Sequence, residues 1–171
     1  DHANALMCRN SPDWKTALEA LVRLGENPSF PQQAEVISQR AVCEHKLGDH
    51  AASLATNDRF LASFAAHPLA GDARFIRAEN LFLLNRPDEA TTAYEAFLAA
   101  DANHPNRTAA AYRVAQIRHG QGRWADCLAA TAPLLADKDA AARYAQLPFM
   151  VGDCQFRQEK WPEAIAALAE F

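Results

Sequence analysis

The chain has 171 residues, 17 of them basic and 21 acidic, for a formal charge of −4; half are hydrophobic and 9% aromatic. That balance supports a folded core and argues against disorder, and the absence of a basic cluster argues against a nucleic-acid partner. The longest unbroken apolar stretch, Ala164 to Ala169, is far short of the roughly 18 residues that a membrane span needs.

Alanine supplies 38 residues, which favours helix throughout, since alanine is the best helix former. In chain order, residues 1–8 read as the tail of a helix that starts before the sequence does. Helices are then predicted over 13–24, 32–46, 50–63, 69–84, 88–100, 106–120, 124–136, 142–157 and 161–170. Pro31, Pro68 and Pro105 stand at or just before helix starts, where a missing N–H costs nothing. Gly48, Asn85 and Gly122 close helices with residue types that tolerate a left-handed cap. Phe171 falls inside the last helix, so the chain reads as part of a longer array, with neither end shaped like a polar terminal cap.

The elements repeat. Trp14, His50, Pro87, Trp124 and Trp161 recur at steps of 36 or 37 residues. The same step aligns Phe60-Leu61-Ala62 with Phe97-Leu98-Ala99 and Leu134-Leu135-Ala136, and His67-Pro68 with His104-Pro105. Two columns hold small residues where helices should touch: Ala41, Ala78, Ala115 and Gly152, then Ser53, Ala90, Cys127 and Ala164. Five units result, near 1–30, 31–67, 68–104, 105–141 and 142–171, in one repeat domain spanning 1–171.

This helix, tight turn, helix unit resembles the tetratricopeptide repeat family. The resemblance rests on the small residue within each first helix, the turn residue seven later (Gly48, Asn85, Gly122, Glu159), and the small residue early in each second helix. Gly152 to Ile165 matches the family pattern best. Departures are the 37-residue period against the family's 34, Arg74 and Arg77 at positions where large apolar residues are common, and Pro148 within a first helix. The runs Phe60 to Pro68 and Phe97 to Pro105 also look similar to a bacterial envelope subgroup, the outer-membrane assembly lipoproteins and periplasmic Tol-Pal coordinators. That similarity favours the periplasm or cell envelope as compartment, with the cytoplasm the alternative.

The resemblance implies an all-α, right-handed solenoid of antiparallel helix pairs, with four to five repeats, whose first helices line a concave groove. One groove column is Ser38, Phe75, Tyr112 and Phe149; a second is His45, Phe82, His119 and Phe156; between them lie Val42, Glu79, Gln116 and Asp153. The expected binding residues are Phe75, Glu79, Phe82, Tyr112, Gln116, His119, Phe149, Asp153 and Phe156. An aromatic ladder with a polar rail suits an extended peptide or a partner helix. Against this stands the burial preference of aromatics at helical spacing. The core is assigned to the small columns, to Leu54, Leu128 and Ile165, and to Phe60, Phe97, Leu134 and Phe171. Trp14, Trp124 and Trp161 are assigned to packing between repeats.

No catalytic, metal or cofactor site is expected. His67 and His104 recur before proline and read as turn elements. Glu44-His45 with Asp49-His50 fits no metal motif, and Gly120-Gln121-Gly122 lacks the strand and the Lys-Ser/Thr of a phosphate loop. Cys8 with Cys43, and Cys127 with Cys154, fall on elements that pack together, so disulfides are conceivable; small buried free thiols are the competing reading. The sequon at Asn106-Arg107-Thr108 matters only in a glycosylating pathway. The expected function is a non-catalytic protein-interaction scaffold. The alternatives are a regulatory or substrate-presenting region of a larger enzyme, and an architectural spacer that self-associates through its end faces.

Overall fold

A computed structural model describes residues 7, 13–25, 27 and 30–169. Among these residues the structure is entirely helical. We number the helices α1 (Trp14–Gly25), α2 (Gln33–Lys46), α3 (His50–Phe64), α4 (Ala70–Leu83), α5 (Pro87–Ala100), α6 (Arg107–Gly120), α7 (Trp124–Ala136), α8 (Lys138–Arg143), α9 (Leu147–Arg157) and α10 (Trp161–Ala169). The chain divides into two compact units, residues 1–93 and 94–171, with α5 running across the division.

The turn residues set the repeat. Gly48, Asn85, Gly122 and Glu159 all have positive φ, between 55° and 82°, so the whole predicted column takes the left-handed conformation. Each is followed by the same closing bond, in which the next residue's N–H donates to a carbonyl five back: Asp49 to Glu44, Arg86 to Leu81, Arg123 to Arg118 and Lys160 to Gln155. These bonds satisfy carbonyls that the helix end leaves open. The His-Pro turns repeat as well. The Leu69 N–H donates to His67 Nδ1 at 3.2 Å and the Asn106 N–H to His104 Nδ1 at 3.1 Å. Each imidazole stands edge-on to the phenylalanine seven residues before it, Phe60 or Phe97.

In the first unit, α1 packs on α2, α2 on α3, and α3 on α4. The core holds Ala17, Leu21, Val36 and Cys43 around α1 and α2, then Ala34, Ile37, Phe60, Ala70 and Ala73. In the second unit, α6 packs on α7, α7 on α8 and α9, and α9 on α10. Its core gathers Tyr112, Ala115, Cys127, Leu134, Leu147, Met150 and Cys154. The small columns are where the helices meet. Ala41, Ala78 and Ala115 are fully buried, Ser53 Oγ donates to the Ala41 carbonyl at 2.8 Å, and a Cβ on Gly152 would stand 2.6 Å from Leu168 Cγ.

Four expectations are corrected. The helix predicted over 142–157 is broken: α8 ends at Arg143, and α9 begins at Leu147 with Pro148 in its first turn, where a missing N–H costs no helix hydrogen bond. Trp161 is 48% exposed, while Trp14 and Trp124 pack against their cores. Ile165 is 70% exposed, unlike its counterpart Leu54 at 8%. Tyr112 is buried rather than presented to solvent. The readings that involve Cys8 and Phe171, and the helix tail over 1–8 apart from Met7, lie outside the described residues.

Candidate protein-interaction surface

The candidate residues lie on the first helices of the repeats, and each unit presents its own set. In the first unit, α4 carries Phe75, Glu79 and Phe82, all half-buried. Behind them runs a buried polar network. Asn80 Nδ2 donates to Ser53 Oγ at 2.7 Å, and His45 Nδ1 lies 2.7 Å from Asn80 Oδ1. Thr56 Oγ1 donates to Glu44 Oε2 at 2.6 Å, and Glu44 Oε1 accepts from Arg40 Nε at 2.7 Å. Glu44 is only 3% exposed, so these two donors replace the water that a buried carboxylate needs. The network fixes α2, α3 and α4 relative to one another by hydrogen bonds with defined directions. Ser38, in the same predicted column as Phe75, is buried.

In the second unit the surface is more open. Phe149 and Phe156 on α9 are 49% and 51% exposed. Trp161, at the start of α10, stands edge-on to Phe156 with ring centroids 5.0 Å apart. Beside them is a cavity of about 460 Å³ lined by Gln116, His119, Gly120, Gln146, Phe149 and Met150. His119 Nε2 lies 2.9 Å from Asp153 Oδ2, and Asp153 Oδ1 accepts from Arg157 Nε at 3.4 Å. The Arg157 guanidinium lies 5.8 Å from the Trp124 ring centroid, and the same ring stands edge-on to His119. Gln116 Oε1 accepts from Arg113 Nη1 at 3.0 Å. The predicted polar rail is therefore half-buried and committed to structural bonds, with aromatic faces exposed beside it.

Tyr112 takes a different part. Its ring stacks on Tyr144 at 4.1 Å and 14°, and its hydroxyl donates to Gln146 Oε1 at 3.1 Å. Burial pushes its phenol above the ordinary tyrosine range. Tyr144 and Gln146 belong to the short connection between α8 and α9, which sequence reasoning passed over as helix. Pro148 was the signal that could have revealed it.

A second cavity, of about 370 Å³, lies among α5, α6 and α7, between Leu98, Val114, Ala130 and Pro133. The arginines at its edge are engaged, Arg118 with Glu95 Oε1 at 2.5 Å and Arg107 with the Leu98 carbonyl. No group of three His, Cys, Asp or Glu side chains among the described residues is placed to hold a metal ion. No helix among them is long and apolar enough to cross a membrane.

No family model matches the chain, and no curated protein matches it. Solved structures do. A crystal structure of MamA matches with a TM-score of 0.81 at 12% identity, covering 99% of this chain and 92% of that one. A structure of MamA from Desulfovibrio magneticus RS-1, beginning at its residue 41, gives 0.77 at 17% identity, with 99% and 88% covered. A kinesin light chain from Podosopora anserina with nearly identical TPR-like repeats gives 0.68 at 14% identity, with 99% and 89% covered. The fold is a TPR-like α-solenoid. At these identities the likeness establishes the fold alone.

Proposed function

We propose that this chain is a non-catalytic scaffold that receives an extended peptide or a partner helix on the exposed face of its first helices. The observation that carries the reading is the placement of Phe149, Phe156 and Trp161, each about half exposed, beside a 460 Å³ cavity with Gln116, His119 and Gln146 in its wall. Aromatic faces give large contact area at low conformational cost, and the cavity has room for one bulky apolar side chain of a partner. Gln146, exposed at the edge of the cavity, supplies an amide group for a partner's backbone. Phe75, Glu79 and Phe82 on α4 offer the first unit's own contribution. Tyr112 acts from beneath, holding Tyr144 and Gln146 in place, and Asp153 orients His119. The bacterial envelope remains the proposed compartment, on the resemblance of the Phe-Leu-Ala and His-Pro runs. The test is a titration of peptides selected on the immobilised protein. Phe149→Glu with Phe156→Glu should weaken binding at least tenfold while leaving the helical circular dichroism spectrum unchanged.

A further inference from the structure

The repeat register pairs two positions across neighbouring helices, and the two units fill that pair differently. In the first unit the pair is Ser53 on α3 and Asn80 on α4, in side-chain contact at 2.7 Å and fully buried. Twice the 37-residue period further on, the same two positions are Cys127 on α7 and Cys154 on α9. Both thiols are fully buried in the core that also holds Ala115, Leu134 and Leu147, on helices α7 and α9 that pack against each other. Both are free. A buried cysteine on its own is a small hydrophobe, and Cys43 fits that description, with its thiol 3.5 Å from the Met7 sulfur. Cys127 and Cys154 differ because they share one core and occupy the two register positions that are in side-chain contact in the first unit, the neighbourhood that disulfide formation requires.

We propose that Cys127 and Cys154 are a disulfide-forming pair that closes when the chain folds in the presence of a small-molecule disulfide such as glutathione disulfide. One thiolate attacks the glutathione disulfide, breaking its S–S bond, forming a mixed disulfide and releasing one glutathione. The second thiolate then attacks the protein sulfur of that mixed disulfide, forming the Cys127–Cys154 bond and releasing the second glutathione. Two protein thiols are oxidised, one glutathione disulfide is reduced to two glutathione thiols, and the two thiol protons pass to the departing glutathiones. Burial pushes both thiols above their ordinary range in the folded, reduced chain, which suppresses the attacking thiolate. The bond therefore forms on the folding or locally open chain, where the thiols are exposed.

The closed loop would contain α7 from Leu128 onward, α8, the Tyr144 to Gln146 connection and the first two turns of α9, so the bond ties down the segment that carries Phe149. The test is refolding of the whole chain from denaturant in a glutathione redox buffer, against refolding in dithiothreitol, in a background with Cys8→Ser and Cys43→Ala. Alkylation and peptide mass mapping should show the loss of two hydrogens and a Cys127–Cys154 cross-link. The melting temperature should rise by about 5 to 10 °C and return on reduction. Cys127→Ala should fold, since alanine fills this column at Ala90 and Ala164, and should show neither effect. Free alkylation of both cysteines after oxidative refolding would overturn the proposal, as would a cross-linked chain that melts below the reduced one.

Discussion

His119 on α6 contacts Asp153 on α9 at 2.9 Å, linking the first helices of two consecutive repeats. His45 in the first unit makes the equivalent reach to Asn80, at 2.7 Å. Two histidines that share a column thus do the same work, in different chemistry, which gives their recurrence a structural reason.

Removing the shared acceptor tests this link. Asp153→Ala takes away the partner of both His119 and Arg157 and should cost about 0.5 to 1.5 kcal/mol, the range for partly exposed polar links. Urea denaturation measures it, and a cycle with His119→Ala should show that the two substitutions are not additive.

The left-handed turn column predicts opposite effects at two of its positions. Glu159 sits at φ 61°, a conformation that carries a steric penalty for any residue with a Cβ, so Glu159→Gly should stabilise by about 0.5 to 1 kcal/mol. Gly48 sits at φ 82°, and Gly48→Ala should destabilise by about 1 kcal/mol. Thermal melts of the two variants should move in opposite directions.

Two tryptophans of one column should differ sharply. Trp124 packs on the second core and also touches His119 and Arg157, so Trp124→Ala should cost about 3 kcal/mol. Trp161 is half exposed against Phe156, and Trp161→Ala should cost below about 1 kcal/mol while weakening peptide capture. Equal melting temperatures for the two variants would defeat the distinction.

Helix contact at the small columns is equally testable. Ala115 is fully buried, so Ala115→Leu should overpack the contact and cost about 1 to 3 kcal/mol. Gly152→Ala would bring its Cβ to 2.6 Å from Leu168 Cγ, and Leu168→Ala should restore part of the loss. Denaturant midpoints of the single and double variants provide the measurement.

These contrasts mark what periodicity can and cannot reveal. The turns were legible because Gly48, Asn85 and Gly122 are residue types that announce a left-handed backbone, and register extended the inference to Glu159. The columns of small residues were legible because only small side chains let helix backbones approach. Exposure was less so. Ile165 and Trp161 are 70% and 48% exposed although they share columns with buried residues, because a column records what a position is suited to contact and not how far it is covered. The burial of Tyr112 was not legible because the ring that covers it, Tyr144, comes from a break in the 142–157 helix that the 37-residue period does not contain.

The central claim, that the aromatic face of α9 and α10 receives a peptide, is tested most directly by peptide-display selection on the immobilised chain, with Phe149→Glu/Phe156→Glu protein of unchanged melting temperature as the counter-selection surface. The account predicts peptides sharing an apolar anchor residue, bound by the native protein at least tenfold more tightly than by the double variant. Peptides that bind both proteins equally would contradict it.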